Sequence, residues 1–213
     1  IDSILENDRD IPDIGEYQIS DDMINLIDLW NDFIQNMKDN LMAVRKDGSG
    51  VAHYDTEKDA VYMPKQENFE HYSDYVQEML RQVVSATGHQ QRLAREGMVM
   101  KNGIAPSENS VKQEKLMVEL ASGIKMMEMG MPAKISKENM GLVDYWNREL
   151  KENPCLIDAI ESDVNNALDV IRKAERGEKI EYSSLKNEQQ TTEMQSMMPK
   201  HYFVADEIAK HPD

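Results

Sequence analysis

The sequence has little cysteine, because Cys155 is the only one among its 213 residues. A single thiol excludes an internal disulfide framework, and it also excludes a zinc ribbon built from cysteines. Such low cysteine use is typical of proteins that reside in a reducing compartment. We therefore expect a cytoplasmic protein.

Positive charge is also scarce. Lys and Arg total 24 against 40 Asp and Glu, which gives a formal net charge of -16. The imbalance is largest in residues 1–40, where Arg9 and Lys38 are the only basic residues. Non-specific nucleic-acid binding depends on neutralising phosphates, and no dense basic patch is present to do so. We therefore expect no direct binding to nucleic acid, and a protein as the partner.

Long apolar runs and targeting signals are absent from the sequence. No stretch approaches the roughly 18 apolar residues of a membrane-spanning helix, and no signal-peptide pattern is present. We therefore expect no membrane partner. Because the sequence begins at Ile1 rather than at Met, we expect it to be part of a longer protein.

Several common catalytic motifs are missing as well. There is no glycine-rich loop of the kind that binds nucleotide phosphates. Ser49 lies between Gly48 and Gly50, but the surrounding residues do not form a nucleophile elbow. None of these motifs therefore indicates a cofactor.

Apolar residues at three- and four-residue spacing predict five helices. The predicted helices cover residues 23–41, 68–87, 110–129, 139–150 and a segment from Pro154 to Glu175. The second of them has the broadest apolar stripe, so we expect it to be the central helix of the core. Gly88 is expected to end this helix with a left-handed backbone, which glycine adopts without a steric penalty. In the third helix, Leu120 and Met127 are expected to face the core.

Two short segments rich in β-forming residues predict a hairpin. Residues 51–54 and 60–63 are separated by the polar stretch Asp55–Asp59, and Pro64 follows the second segment. This alternation of short strands and a polar turn is typical of an antiparallel pair. We expect the pair to lie beside the central helix.

The composition divides the chain into three predicted regions. Residues 1–45 form an acidic, helical N-terminal segment, and residues 46–177 form the main domain. Residues 178–213 are predicted to be a polar linker followed by a truncated C-terminal element.

A set of short motifs recurs in a characteristic order between residues 51 and 176. These motifs are Tyr54-Asp55, Asp59–Pro64, Phe69, Tyr72, Tyr75, Thr87-Gly88-His89, Arg92-Leu93, Leu116, Glu119-Leu120 and Trp146. In this order they resemble the metallopeptidase domain of ArdC-type antirestriction proteins and of related polyvalent proteins of conjugative elements and phages. The resemblance implies an α+β fold: a mostly helical, zincin-like domain with a small antiparallel sheet beside the central helix.

The resemblance also implies a zinc site, but the chain lacks the residues that form it. Aligning the sequence on Thr87-Gly88-His89 places Arg81 and Ser85 at the two histidines of the H-E-x-x-H motif, and Gln82 at its glutamate. The third ligand falls on Lys115, with Glu114 as the alternative. Arginine has no lone pair to offer a metal, and glutamine does not act as a general base near neutral pH. We therefore expect no metal, no cofactor and no catalytic residues, and we regard Arg81, Gln82, Ser85 and Lys115 as vestigial positions.

Other polar residues of the central helix admit two interpretations. His71, Glu78, Gln82, Ser85 and His89 share roughly one helix face. They could form a relocated metal or hydrolytic site that uses His71, Glu78 or His89. The interpretation we favour is a polar stripe that lines a vestigial cleft, with His89 bonded in the turn after the helix.

Arg81 requires an anionic partner if it is buried. The candidate carboxylates are Glu78, Glu114 and Glu119. We favour an ion pair, with Glu114 or Glu119, that replaces the metal as the link between the two helices. The alternative is an Arg81 side chain that lies in solvent.

These observations leave three hypotheses for the function. The favoured one is a pseudoenzyme, a catalytically inactive metallopeptidase-like domain that serves as a binding or scaffold module of a larger mobile-element protein. The second is a hydrolase with an unconventional, relocated site. The third is an unrelated helical interaction domain whose motif order is coincidental.

Overall fold

The computed structural model of the chain describes residues 21–46 and 50–180. Residues 181–213, which include nearly all of the predicted polar linker and the predicted C-terminal element, and the first part of the predicted acidic segment lie outside the described residues. The division of the chain at residues 45 and 177 therefore stays a prediction. Within the described ranges, no helix is long and apolar enough to cross a membrane.

The observed architecture is α+β and mostly helical, as predicted. The helices are α1 (Asp21–Asn40), α2 (Tyr72–Thr87), α3 (Glu108–Glu128), α4 (Val143–Glu152) and α5 (Cys155–Glu175), and the strands are β1 (Ala43–Lys46), β2 (His53–Asp55) and β3 (Ala60–Met63). Short 3-10 helices cover Gln66–Asn68 and Asn139–Leu142. Each of the five predicted helices is present, with ends that differ from the predictions by a few residues.

The chain divides into two compact units between Gln35 and Asn36, so the boundary falls within α1. In the first unit, Trp30 and Phe33 are buried, and their rings stack with centroids 5.4 Å apart. This contact is the expected result of apolar residues spaced three apart on one helix face.

In the second unit, three strands form a mixed sheet in the order β1-β3-β2. Strands β2 and β3 are antiparallel, with Tyr54 opposite Val61, which confirms the predicted pair. Strand β1 is parallel to β3, with Val44 opposite Val61, and its sequence pattern does not predict a strand. The reason is that Ala43–Lys46 has only one β-branched residue, and that it pairs with a strand from which β2 separates it in the sequence.

Helix α2 is central, as its apolar stripe predicts. It packs against α3 and α5 and against strands β2 and β3. Val76, Leu80, Val83 and Val84 are completely buried in these contacts. Burying each such side chain contributes roughly 1.5–3 kcal/mol to folding. The helix therefore holds its polar residues in a fixed position relative to α3.

Two asparagines of α1, both in the part of the helix that belongs to the second unit, donate hydrogen bonds to the last carbonyls of α5. The Asn36 and Asn40 amides donate to the Glu175 and Ala174 carbonyls at 3.0 and 3.1 Å. The last carbonyls of a helix have no partner within the helix. These two asparagines therefore cap the C-terminus of α5.

The left-handed backbone conformation predicted for Gly88 is wrong. Gly88 has a φ of -82°, so it does not adopt the left-handed conformation. Its lack of a side chain matters for a different reason. A Cβ atom at this position would lie 2.5 Å from the Met98 Sδ and 2.6 Å from the Arg95 Nη2. A methyl group here would therefore have to displace the Met98 side chain and the buried Arg95 guanidinium.

The expectation for Leu120 and Met127 is also wrong, because 44% and 63% of these residues is exposed. The buried side of α3 carries polar residues among its apolar ones, including Glu119, Ser122 and Lys125. Hydrophobic periodicity alone places such polar residues on the outer face of a helix. The predicted inner face of α3 is consequently rotated from the true one.

We expect the substitution Gly88→Ala to lower the free energy of unfolding by about 1–3 kcal/mol, the usual cost of forcing an extra methyl group into a packed site. Urea denaturation measures the change. Gly141→Ala is the control, because a Cβ there meets no atom within 4 Å. Equal effects of the two substitutions would contradict the steric role of Gly88.

Candidate functional site

A cleft with a volume of about 190 Å³ lies between α2 and α3. It is lined by Glu78, Arg81, Gln82 and Ser85 from α2, by Glu114, Lys115 and Val118 from α3, and by Ser136, Glu138 and Asn139 from the chain that follows α3. The fold thus brings together the four positions that the sequence alignment assigned to a lost zinc site.

Arg81 is the central side chain of this cleft. Its Nε donates to the Glu119 Oε2 at 3.1 Å, and its Nη1 donates to the Glu78 Oε2 at 2.9 Å. Its Nη2 donates to the Lys134 carbonyl oxygen at 2.8 Å. Only 10% of the Arg81 side chain is exposed. As predicted, Arg81 lies within hydrogen-bonding distance of a carboxylate, and Glu119 provides the link from α2 to α3.

Glu119 is buried and receives donors on both of its oxygens. Its Oε2 binds Arg81, while its Oε1 accepts from the Asn139 Nδ2 at 2.8 Å and from the Ser136 backbone N–H at 3.2 Å. The Asn139 Oδ1 is buried and has no hydrogen-bond partner within the described part of the chain. Both oxygens of the Glu119 carboxylate therefore accept hydrogen bonds, and they join α3 to α2 and to residues 136 and 139.

Gln82 and Lys115, two of the other aligned positions, donate to carboxylates. The Gln82 Nε2 donates to the Glu78 Oε1 at 2.8 Å, so both oxygens of Glu78 are occupied. The Lys115 ammonium lies at the mouth of the cleft, where it donates to the exposed Glu138 at 2.8 Å. Ser85 lines the cleft between these groups.

Glu114 pairs with Arg95 rather than with Arg81. The Arg95 Nε and Nη2 donate to the two Glu114 oxygens at 2.9 and 2.8 Å. The same guanidinium donates to the Thr87 Oγ1 at 2.6 Å and to the Val84 carbonyl at 2.9 Å. Arg95 therefore ties the end of α2 to the first half of α3. Sequence reasoning missed Arg95, because only its burial distinguishes it from a solvated arginine.

Arg92, within the Thr87–Leu93 motif, holds the hairpin against α2. Its guanidinium binds the Asp59 carboxylate, the Tyr54 hydroxyl at 3.0 Å and the Ala86 carbonyl at 2.8 Å. Burial alone would raise the pKa of Asp59, but hydrogen bonds from Arg92 and Tyr54 hold this pKa below its usual range. Burial, together with the hydrogen bond to Asp59, raises the pKa of Tyr54.

His89 and His71 do not line the cleft. The His89 Nε2 bonds to the Thr56 carbonyl at 3.1 Å, and its Nδ1 accepts from the Gln91 backbone N–H at 3.2 Å. Because a carbonyl only accepts, the proton of the neutral ring lies on Nε2. His71 is exposed beside Glu70. The structure therefore does not assemble His71, Glu78 and His89 into one site.

The groups facing the cleft do not fit a zinc ion. Zinc sites in proteins use imidazole, thiolate and carboxylate ligands. Here the aligned positions offer a guanidinium, an amide, a hydroxyl and an ammonium, and the carboxylates of Glu78 and Glu119 already bind Arg81. Among residues 21–46 and 50–180, no group of three His, Cys, Asp or Glu side chains is placed to hold a metal ion.

Comparisons with known proteins identify the type of fold. Residues 31–161, more than half of the chain, match the family described as zincin-like metallopeptidase. The match begins within α1 and ends within α5. A comparison with curated proteins gives no match.

Two solved structures of the antirestriction protein ArdC from plasmid R388 have a similar fold. The Mn(II)-bound structure is 20% identical with a TM-score of 0.60, and the match covers 68% of this chain and 51% of that one. The metal-free structure is 19% identical with a TM-score of 0.59, covering 70% and 51%. The chain thus spans about half the length of the ArdC protein that it matches.

We expect Arg81→Ala to lower the free energy of unfolding by roughly 3–5 kcal/mol, because it leaves two carboxylates without their buried partner. Chemical denaturation or a thermal melt measures the loss. Arg172→Ala is a matched control: Arg172 pairs with Glu128 and its side chain is 41% exposed, so we expect a loss of about 0–1 kcal/mol. An Arg81→Ala variant that melts within about a degree of the parent would show that Arg81 behaves as a solvated residue.

Proposed function

Because the chain belongs to the zincin-like metallopeptidase family, we propose that it is a catalytically inactive member of that family. In this proposal it serves as a binding or scaffold module of a larger antirestriction-type protein, carried by a mobile genetic element and acting in the cytoplasm. The partner is a protein, since a net charge of -16 opposes contact with phosphates.

The observation that carries this proposal is the position of the Arg81 guanidinium. It lies at the position aligned with the first zinc ligand, and it binds both Glu78 and Glu119. A metal ion entering this part of the cleft would meet a permanent positive charge and carboxylates that are already neutralised. The Arg81 ion pairs therefore take the place of the metal as the link between α2 and α3.

The lack of a general base supports the same proposal. Gln82 stands where the family has its glutamate, and an amide does not accept a proton from water near neutral pH. Glu78 is the nearest carboxylate on α2, but both of its oxygens accept hydrogen bonds from Arg81 and Gln82. These contacts favour inactivity over the alternative of a hydrolase with a relocated site.

The family match overturns the third hypothesis of the sequence analysis. An unrelated helical interaction domain would not match the zincin-like metallopeptidase family over residues 31–161. The antirestriction context of the proposal rests on the similarity to ArdC from plasmid R388.

We expect the purified chain to contain no stoichiometric zinc and to cleave no peptide, whereas restored ligands should restore the metal. The variant Arg81→His, Gln82→Glu, Ser85→His and Lys115→Glu supplies two imidazoles, a base and a carboxylate, and it should bind about one zinc per chain. Elemental analysis after dialysis measures the content.

The control for this experiment replaces the same four residues with alanine, which removes the native groups without adding ligands. It should stay free of zinc. Zinc in the parent protein would contradict the inactive interpretation. A folded variant that carries the four restored residues and still binds no zinc would contradict the alignment.

We also expect the chain to bind DNA weakly at most. Fluorescence anisotropy with single- and double-stranded oligonucleotides at about 0.15 M salt should show no saturable binding, because few cations are available to displace counterions. A tight complex that weakens steeply with added salt would instead indicate a direct role in nucleic-acid binding.

A further inference from the structure

Residues 131–138, which we name the strap, lie between α3 and the 3-10 helix Asn139–Leu142, and two of them, Ser136 and Glu138, line the cleft. The first six residues of the strap have no regular secondary structure. Residues 132–135 are exposed, including 42% of Ile135. The strap therefore gains little from burying apolar side chains, and polar contacts must hold it in place.

These polar contacts are made to the backbone of the strap. The buried Gln77 amide receives the Lys134 N–H on its Oε1 at 3.1 Å and donates its Nε2 to the Lys134 carbonyl at 2.7 Å. The Arg81 Nη2 donates to the same carbonyl at 2.8 Å. Glu119 accepts the Ser136 N–H at 3.2 Å.

The buried side chains of Gln77, Arg81 and Glu119 thus form hydrogen bonds with the peptide backbone of Lys134 and Ser136. Together they offer two donors to one carbonyl and an acceptor to each of two amides. None of these contacts involves a side chain of the strap, although the Lys134 ammonium adds an ion pair with Asp74 and the Glu138 carboxylate accepts from Lys115 at 2.8 Å. The chemistry that recognises the strap is therefore that of a peptide backbone.

We propose that Gln77, Arg81 and Glu119 form a peptide-backbone binding site whose ligand is the strap of the same chain. Arg81 is its lock. A guanidinium presents five N–H donors in one rigid plane, so it binds Glu78, Glu119 and the Lys134 carbonyl together. This inference goes beyond the proposed function, because it holds whether or not the protein opposes restriction.

The geometry explains why arginine suits this position and another cation does not. A lysine would keep the positive charge but would lose the planar arrangement of donors. It could neutralise Glu119 or reach the strap, but it could not maintain all three contacts. The attachment of the strap through Arg81 therefore depends on the shape of the guanidinium as well as on its charge.

The experiment is residue-resolved amide hydrogen exchange on the full chain, comparing the parent with Arg81→Lys. We expect the exchange rates of the Lys134 and Ser136 amides to rise about tenfold or more through local opening, while amides in the middle of α2 and α5 change by less than about twofold. The matched control is Arg172→Lys, which alters an ion pair that does not touch the strap. It should leave both strap amides unchanged.

A second variant covers the case in which Arg81→Lys does not fold. Gln77→Met keeps a similar side-chain volume and removes both Gln77 contacts, so exchange at Lys134 should also rise. Unchanged exchange at Lys134 and Ser136 in the folded variants would overturn the proposal. An increase spread evenly over all helices would also overturn it, because it would assign Arg81 to overall stability rather than to the strap.

Discussion

The contact of one guanidinium with two carboxylates is the interaction on which the cleft depends. Arg81 is buried, and a buried charge without a partner costs several kcal/mol. Glu78, which is half-buried, and Glu119, which is buried, offset that cost, and Arg81 in turn offsets the cost of burying the Glu119 charge. Glu119 in turn fixes Ser136 and Asn139. The loss of Arg81 therefore leaves both carboxylates without their cation, whereas the loss of one carboxylate leaves Arg81 paired with the other.

Two further buried arginines extend this principle to the rest of α2. Arg95 joins the end of the helix to Glu114 on α3, and Arg92 joins it to Asp59 in the hairpin. Both also donate to carbonyls near the end of α2. The planar guanidinium suits this task, because it satisfies a carboxylate and helix carbonyls at once. The family motif that ends in Arg92 and Leu93 thus has a structural role that does not require metal chemistry.

The sequence was sufficient to predict elements with strong local patterns, namely the five helices and the antiparallel hairpin. It was insufficient for β1, whose parallel pairing is non-local, and for the inner face of α3, where buried Glu119 and Lys125 disturb the apolar pattern. The position of Arg81 in the cleft followed from the family resemblance. Its full set of partners did not, because the Lys134 carbonyl comes from a segment without any distinguishing sequence signal.

The link between α2 and α3 has a consequence for how the fold responds to its surroundings. A fold whose helices are joined by a bound ion is stabilised in proportion to the logarithm of the free ion concentration. In this chain the joining groups, Arg81 and Glu119, are part of the polypeptide and are always present at the same effective concentration. Scarcity of transition metals, or competition from chelating molecules, therefore leaves this helix-to-helix contact unchanged.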